Sequence, residues 1–197
     1  IDCVSAIGCE DLDLSYNSIS CIAGHSGKAI GAFPGIGIII CKRDLFLRPS
    51  KNKTYYLDLY KYYEYSEKYS QTPHTPAVQL FFSLNQAVKN FNLNKIESIN
   101  RFQTTYDYLR NSLKRIGIKL YLNDEVKKCR SVMAAYVPDS ISFVDLKDKL
   151  EKRGFVIYGG RGYLEEKNLF LVSNMSKTID KNLIDDFIKE FNNIINT

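Results

Sequence analysis

The sequence lacks the features that would place the protein in a membrane or on a nucleic acid. Its 197 residues contain no apolar run approaching ~18 residues, the length that a membrane-spanning helix needs, and no stretch resembling a signal peptide. The net charge is +5, but no run of five basic residues occurs. Nucleic-acid-binding proteins typically carry clustered basic residues. We therefore predict a cytoplasmic protein with no nucleic-acid partner and no membrane contact.

Cysteine is also sparse, and its spacing is not that of a metal or disulfide framework. The five cysteines form no C-x-x-C pair; they are Cys3, Cys9, Cys21, Cys41 and Cys129. An odd number without that spacing argues against a zinc site and against paired disulfides. We expect buried, reduced thiols and no metal.

Glycine and proline are too few for a disordered chain, at 11 and 5 residues, and 45% of the residues are hydrophobic. This composition can bury a proper core. The chain has no initiator Met and opens at Ile1-Asp2-Cys3-Val4, as if inside a strand. We therefore expect it to be part of a longer protein.

Apolar periodicity predicts an α/β fold in two parts. In the first, Gly35–Cys41 is typical of a strand buried on both faces, and Lys42–Leu47 of a short helix stopped by Pro49. The further helices expected are within 54–69, at 77–90, at 95–116 with Gly117 as its stop, at 143–153 and at 181–195. The further strands expected are 118–122, 132–137, 155–158 and 169–173. Residues 1–110 would complete a mixed, mostly parallel sheet with helices on both faces, and 111–197 would form a smaller α/β domain.

Lys28 lies in a segment of small residues, Gly24-His25-Ser26-Gly27-Lys28, and Pro34-Gly35-x-Gly37 follows it. Such a surround lets a flat cofactor approach the backbone and leaves room for a lysine amine. Pyridoxal chemistry also needs a carboxylate at the ring nitrogen, and Asp2 lies on an apparent strand upstream. These residues alone do not distinguish a cofactor lysine from an ordinary loop lysine.

Five short motifs occur along the chain in a fixed order. They are Ile1–Gly8 (similar to V-D-x-x-S-x-x-G), Lys28, Pro34–Gly37 (P-G-x-G), Leu57–Tyr60 (L-D-L-Y) and Arg153–Tyr158 (R-G-F-V-I-Y). In this order they resemble the class V aminotransferases, a family of fold-type I pyridoxal-phosphate enzymes. The resemblance is greatest to the family's 2-aminoethylphosphonate–pyruvate transaminases. It implies that residues 1–110 are the C-terminal part of the large cofactor-binding domain and that 111–197 are the small domain.

The resemblance also implies roles for individual residues. Lys28 matches the Schiff-base lysine, which holds pyridoxal 5′-phosphate and moves a proton between the substrate Cα and the cofactor. Asp2 matches the carboxylate at the ring nitrogen, although an ordinary aspartate at a strand end has the same pattern. His25 would stack on the cofactor or bond near it, or be a polar loop residue without that role. Thr72 matches a threonine that reaches the cofactor phosphate across a homodimer interface, although a turn or helix-cap role explains it equally well. The tyrosines at 55–69 fit such an interface or the edge of a core.

One position departs from the family pattern. Family transaminases clamp the acid group of the substrate with an arginine in an F-R-I-G-N stretch, and the matching residues 170–174 here place Leu171 at that position. Leucine cannot pair with a carboxylate or phosphonate. Arg161, in a glycine-rich turn, is the candidate substitute for substrate binding, although a solvated loop arginine has the same pattern.

Three functional hypotheses follow from the resemblance. The first is an aminotransferase that moves an amino group from an amino acid or an aminophosphonate to a keto acid such as pyruvate. The second is a pyridoxal-phosphate lyase, or a related enzyme, with an altered substrate. The third is a non-catalytic fragment or interaction domain. No phosphate-binding loop of the family precedes Ile1, so this chain alone is expected to bind the cofactor poorly and to be inactive.

Overall fold

The computed structural model of the chain describes residues 1–47, 54–123 and 129–196. The strands are β1 (Cys21–His25), β2 (Gly37–Cys41), β3 (Val132–Tyr136), β4 (Tyr158–Gly159) and β5 (Leu169–Ser173). The α-helices are α1 (Leu59–Tyr69), α2 (Val78–Leu93), α3 (Lys95–Arg115), α4 (Phe143–Glu151) and α5 (Lys181–Ile195). Two 3-10 helices cover Arg43–Phe46 and Gly162–Lys167. This order of strands and helices confirms the predicted α/β class.

Strands β1 and β2 form an antiparallel pair in which Cys21 lies opposite Cys41 and His25 opposite Gly37. The parallel orientation that we predicted for most of this region occurs among the described strands only at a single bridge, between Asp2 and Ala23. The described residues of this region thus contribute one antiparallel pair and one parallel bridge, which is a mixed arrangement. A connection of 11 residues joins β1 to β2, and it is this return that makes the pair antiparallel.

The prediction that Gly35–Cys41 is buried on both faces is also wrong. The strand begins at Gly37, and Ile39 and Ile40 are 43% and 48% exposed. Among the described residues, β2 has a strand neighbour on one side only. The β-branched run gives the strand its extended backbone, but it does not determine what covers its faces.

Helices α1 and α2 contribute little to the core. Helix α1 begins at Asp58, whose side chain accepts hydrogen bonds from the backbone N–H groups of Tyr60 and Lys61, and it contains no buried residue. Helix α2 buries only Ala87. The short helix predicted at Lys42–Leu47 is present as a 3-10 helix at Arg43–Phe46, while Pro49, its predicted stop, lies outside the described residues.

Helix α3 connects the two parts of the molecule. Its apolar face includes Phe102, Tyr106, Leu109 and Leu113, all 5% exposed or less. It ends just before Gly117, which has φ +82°, a value that glycine adopts without strain. The predicted helix and its stop are confirmed within one residue.

The main hydrophobic core lies between α3, α4, α5 and the sheet β3–β5–β4. Its centre includes Leu146, Phe170 and Phe191, each fully buried. Helix α5 begins at Asp180, whose side chain accepts a hydrogen bond from Leu183 N–H, and it directs its apolar face into this core. Strand β5 is central, antiparallel to both neighbours.

Two predicted strands of this part are shorter than expected. Of residues 118–122, only Leu120 makes a bridge, to Ala135. Of residues 155–158, only Tyr158 enters β4, because Phe155 instead donates its N–H to Leu150 O and completes the end of α4. The division at residue 110 stays a prediction, since the core includes residues of α3 on both sides of it.

Within residues 1–47, 54–123 and 129–196, no helix has the combination of length and apolar character needed to cross a membrane.

Candidate active site

The candidate site is built around the end of β1. Asp2 bridges Ala23 in the middle of this strand, and His25 is the last residue of the strand. Lys28 follows in the turn that leaves it. The fold therefore brings three of the five predicted site residues, Asp2, His25 and Lys28, to one strand and its C-terminal turn.

Ser26 fixes the turn that carries Lys28. Its side chain is fully buried, and its hydroxyl donates to Phe33 O at 2.7 Å and accepts from Ile36 N–H at 3.1 Å. Its backbone N–H donates to Ile36 O, and its carbonyl accepts from Ala32 N–H. One small residue thus closes both ends of the loop from Ser26 to Ile36, which holds the Lys28 backbone in place.

Two glycines allow other segments to press against this loop. A Cβ on Gly27 would lie 2.6 Å from Pro34 Cβ, and a Cβ on Gly8 would lie 2.6 Å from Ile30 N. Gly8 also has φ +94°, so a larger residue there would be strained and would collide with backbone. Gly8 and Gly27 are therefore needed for close packing of these segments. This role is separate from the approach of a cofactor that we predicted for the small residues around Lys28.

The Lys28 side chain is exposed, whereas Ala29 and Ile30 beside it are buried. Its carbonyl accepts from Gly31 N–H at 2.9 Å. The amine has no hydrogen bond or ion pair with any residue in the described part of the chain. An unengaged amine on a fixed backbone is what covalent attachment of an aldehyde cofactor requires.

Asp2 presents a carboxylate beside β1. One oxygen, Oδ1, accepts from Val4 N–H at 2.8 Å, which orients the side chain. No described residue donates a hydrogen bond to the other oxygen, so Asp2 retains an acceptor for the protonated ring nitrogen of a pyridine cofactor. The donor set of Asp2 and Lys28 fits pyridoxal phosphate.

His25 contributes to the turn itself. Its Nδ1 accepts from Gly27 N–H at 3.0 Å, so the neutral ring carries its proton on Nε2. The ring is half-buried. The structure thus gives His25 a defined turn-stabilising contact, while its predicted contact with the cofactor stays a prediction.

Thr72 lies in the loop between α1 and α2. Its hydroxyl donates to His74 O at 2.7 Å, which is a local turn contact. Together with Tyr62 and Gln71 it lines an open depression of about 460 Å³. Thr72 is exposed and makes no described contact with Asp2, His25 or Lys28, so its role at a phosphate stays a prediction.

Leu171 lies in the centre of β5, paired with Ala134 on one side and Tyr158 on the other. Arg161 follows β4 and is exposed. Gly160 donates its N–H to Leu169 O, so Arg161 lies near the start of β5, roughly 10 Å along the strand from Leu171 at ~3.3 Å per residue. Its carbonyl accepts from Leu164 N–H at 3.2 Å, whereas its guanidinium makes no hydrogen bond or ion pair with a described residue.

The sequence did not single out two buried polar residues, Ser26 and Asn174. Asn174 is 1% exposed; its side chain accepts from Thr105 Oγ1 and donates to the carbonyls of Phe102 and Arg130. It directly follows β5, three residues after Leu171. The sequence feature that could have identified Asn174 is a polar residue directly after an apolar strand.

The cysteines only partly match our prediction. Cys3 and Cys9 are buried, as expected, and Cys21 and Cys41 are half-buried. Cys129 is exposed, so the prediction is wrong there. It lies in the connection that precedes β3, outside the strands and helices that form the core.

Comparison with known proteins agrees with this geometry. The family model for aminotransferase class V matches residues 1–167. An uncharacterised aminotransferase of Methanocaldococcus jannaschii is 28% identical over 189 residues, covering 93% of this chain and 49% of the relative. A 2-aminoethylphosphonate–pyruvate transaminase of Bacillus cereus is 26% identical over 192 residues, covering 93% of this chain and 51% of the relative.

Solved structures show the same fold. Alanine–glyoxylate aminotransferase from Nostoc sp. superimposes with a TM-score of 0.87 at 21% identity, covering 98% of this chain and 52% of that one. Pyridoxamine–pyruvate aminotransferase from Mesorhizobium loti gives 0.86 at 17% identity, covering 100% and 52%. The chain spans about half the length of the curated relatives it matches.

These matches confirm the predicted family and fold. Class V aminotransferases depend on pyridoxal phosphate, which is the cofactor that the sequence resemblance implied. The order of strand, lysine turn and second strand at the N-terminus, followed by the three-stranded sheet with α4 and α5, is the part of that fold present here. The chain belongs to the class V aminotransferase family.

Proposed function

We propose that the protein containing this chain is a pyridoxal-phosphate-dependent aminotransferase, with Lys28 as its covalent catalyst. The observation that carries the proposal is the Lys28 turn: an unengaged amine on a backbone fixed by Ser26, at the end of a strand that Asp2 bridges. When bound, the cofactor supplies an electron sink for the bond that breaks at the substrate Cα.

The residues of this chain would act in distinct ways. Lys28 would hold the cofactor and then, once released by the incoming amine, accept and return a proton at the substrate Cα. Asp2 would keep the ring nitrogen protonated through its free carboxylate oxygen. His25, fixed by Gly27 N–H, would lie against the cofactor from the end of β1.

Thr72 would act in a homodimer, as a ligand to the cofactor phosphate of a second subunit. The supporting observation is the exposure of the surrounding loop, where Tyr55 is 81% and Leu57 75% exposed. The Thr72 hydroxyl would have to exchange its hydrogen bond to His74 O for one to phosphate. Replacement of Thr72 by Ala should then weaken cofactor retention, whereas Thr72→Ser should retain it.

The proposed substrates are an amino acid or an aminophosphonate such as 2-aminoethylphosphonate, with pyruvate as the acceptor. Relatives carrying that name support this class. The direct experiment is to follow alanine formation from pyruvate by the full-length protein with a panel of amine donors. Formation that requires Lys28, tested with Lys28→Ala, supports the proposal; no transfer from any donor rejects transamination.

Leu171 favours a different mode of substrate binding within the same cofactor chemistry. Because this residue cannot pair with an acid group, the acid group of a substrate would need Arg161 or a different contact. A lost charge-assisted hydrogen bond costs about 1.5–3 kcal/mol, which is roughly 10- to 150-fold in kcat/KM. If Arg161 is the substitute, Arg161→Ala should lower kcat/KM by that factor, and exposed Lys167→Ala should not.

The lyase alternative makes a different prediction for the same assay. A lyase on an altered substrate would release its product without an acceptor, so product would form in the absence of any keto acid. An aminotransferase would need the keto acid for every turnover. A product yield independent of pyruvate, but still lost in Lys28→Ala, would select the lyase.

A further inference from the structure

Two thiols from distant parts of the sequence meet beside the lysine turn. The Cys9 and Cys129 sulfurs lie within 4.8 Å of each other. Both point at the same carbonyl, Ser5 O, at 3.2 Å from Cys9 Sγ and 3.6 Å from Cys129 Sγ. Cys9 is fully buried and Cys129 is exposed. A buried thiol thus lies next to one that solvent reaches.

Glu10 is the only other group near both sulfurs that could make this a metal site among the described residues. Its two oxygens are already engaged by Arg130, one by the backbone N–H at 2.7 Å and one by Nη1 at 2.5 Å. A cation would have to displace that guanidinium, and two sulfurs alone are too few for the four ligands that Zn²⁺ takes. The arrangement therefore favours thiol chemistry over metal binding.

The surroundings favour Cys129 as the ionised partner. Hydrogen bonds from the Cys9 thiol and from the Ser131 hydroxyl, which lies 2.9 Å from Cys129 Sγ, lower the pKa of Cys129 to about 6. The same contact with Cys129, together with burial, raises the pKa of Cys9. Since the thiolate is the nucleophile, the exposed sulfur is also the more reactive one at neutral pH.

We propose that Cys129 and Cys9 form a peroxide-reactive dithiol in which Cys129 is oxidised first and Cys9 resolves it. The Cys129 thiolate attacks one oxygen of hydrogen peroxide, breaking the O–O bond and giving a sulfenic acid and hydroxide. Cys9 then loses its proton and its sulfur attacks that of Cys129; an S–S bond forms, the S–O bond breaks, and the proton and the leaving hydroxide combine as water. The peroxide gains the two electrons that the thiols lose.

The position of Cys9 gives this reaction a structural consequence. Cys9 packs with Ala29 and Phe102 in a small buried cluster, and Ala29 is the residue next to Lys28. A disulfide would tie this cluster to the connection that precedes β3, across 120 residues of sequence. An S–S bond is ~2.0 Å long, so the exposed Cys129 side chain would turn toward Cys9 to form it.

The chain contains an internal control pair, Cys21 and Cys41. These residues lie directly opposite each other in the β1–β2 ladder. Burial, with a further contribution from Cys21, raises the pKa of the Cys41 thiol. Proximity alone would make this pair as susceptible to oxidation as Cys9 and Cys129, whereas the proposal requires the latter to react first.

The test is oxidation of the full-length, fully reduced protein with limiting hydrogen peroxide, followed by peptide mapping without reduction. The expected first product is a peptide pair cross-linked through Cys9 and Cys129, with the mass of two hydrogens lost. In Cys129→Ser, an exposed substitution, the cross-link and the oxidation of Cys9 should both disappear. In Cys9→Ala, a sulfenic acid on Cys129 should become trappable by dimedone. Cys21→Ser should leave the cross-link unchanged.

Three outcomes would overturn the proposal. The first is a Cys21–Cys41 cross-link that forms at least as fast. The second is oxidation of Cys129 in the parent protein to sulfinic acid with no cross-link to Cys9. The third is stoichiometric zinc binding that is lost in Cys129→Ser and protects both thiols, which would make the cluster a metal site. None of these readouts depends on cofactor binding or on the proposed function.

Discussion

The two parts of the molecule differ in how much of their apolar surface is buried. Between α3 and the C-terminus, the sheet and helices enclose one core, and Phe170 and Phe191 are fully buried in it. Around β1, β2, α1 and α2 the described buried apolar residues are fewer and mostly smaller: Cys9 and Ala29 pack with Phe102 of α3, and Ile22 and Ile30 are also buried. Phe82 on α2, in contrast, is 71% exposed. Apolar burial is the main favourable term in folding, so stability resides mainly in the C-terminal part.

This difference matters because the proposed chemistry lies in the less buried part. Lys28, Asp2 and His25 are positioned by hydrogen bonds and close glycine contacts, and hardly by a core of their own. Local stability within a protein ranges widely, and functional loops often lie at its lower end. Substitutions in the two parts should therefore separate stability from function.

The largest effect on stability is expected at Phe170. Phe170→Ala would leave a cavity between β5 and α5, where the ring contacts Phe191 with centroids 5.2 Å apart, and should cost about 3–5 kcal/mol of unfolding free energy. The matched control is Phe82→Ala on the exposed face of α2, which should change that energy by about 0.5 kcal/mol or less. Denaturant unfolding measures both. Equal losses would show that α2 is part of a cooperative core and would remove the contrast.

A smaller loss is expected at Ser26, together with a functional effect. Ser26→Ala would leave Phe33 O and Ile36 N–H without their side-chain partner, at a cost of about 1–3 kcal/mol. Because Ser26 fixes the Lys28 turn, cofactor loading should fall by more than the stability loss explains. Absorbance of bound cofactor under conditions where the variant is fully folded is the measurement. Normal loading would show that the turn does not depend on this contact.

Parts of both regions were predictable from the sequence, for identifiable reasons. The apolar spacing of Ile184, Phe187, Phe191 and Ile194 fixed α5 at its observed bounds. Gly117 marked the end of α3. Periodicity describes an element's own faces, however, and does not identify its neighbours. The burial predicted for Gly35–Cys41 was wrong for that reason.

The candidate site was predictable only where its residues share a motif. Lys28 and Asp2 were identified through ordered motifs; the fold places Lys28 in the turn after β1 and Asp2 beside that strand, at its bridge to Ala23. Ser26 was missed because its importance lies in contacts with Phe33 and Ile36, which only the closed loop creates. The meeting of Cys9 and Cys129 depends on tertiary packing across most of the chain, so sequence spacing carries no sign of it.

Two helix caps test the same contrast between the two parts, with a smaller expected effect on the free energy of unfolding. Asp180 and Asp58 both accept backbone N–H hydrogen bonds at the first turn of their helices, but α5 is in the core and α1 buries no residue. Asp180→Ala should lower global stability by about 1 kcal/mol. Asp58→Ala should fray α1 locally and leave the global unfolding energy unchanged. Hydrogen exchange across α1, measured beside denaturant unfolding, distinguishes these results; a global loss in both would contradict the contrast.

The smallest effect on stability is expected at the residue with the largest proposed role. Lys28 is exposed and its amine has no partner among the described residues, so Lys28→Ala should leave unfolding free energy within about 0.5 kcal/mol of the parent. Transamination, in contrast, should be lost. A large loss of stability would show that Lys28 has a structural role that would complicate this interpretation of its activity.

The most direct test of the central proposal is chemical labelling of Lys28. The full-length protein is incubated with pyridoxal phosphate, reduced with borohydride, digested and mapped by mass spectrometry. The account predicts a pyridoxyl phosphate group on Lys28, and no stable label at that peptide in Lys28→Ala. A cofactor absorbance band with the label on another lysine, or a band unchanged in Lys28→Ala, would contradict it.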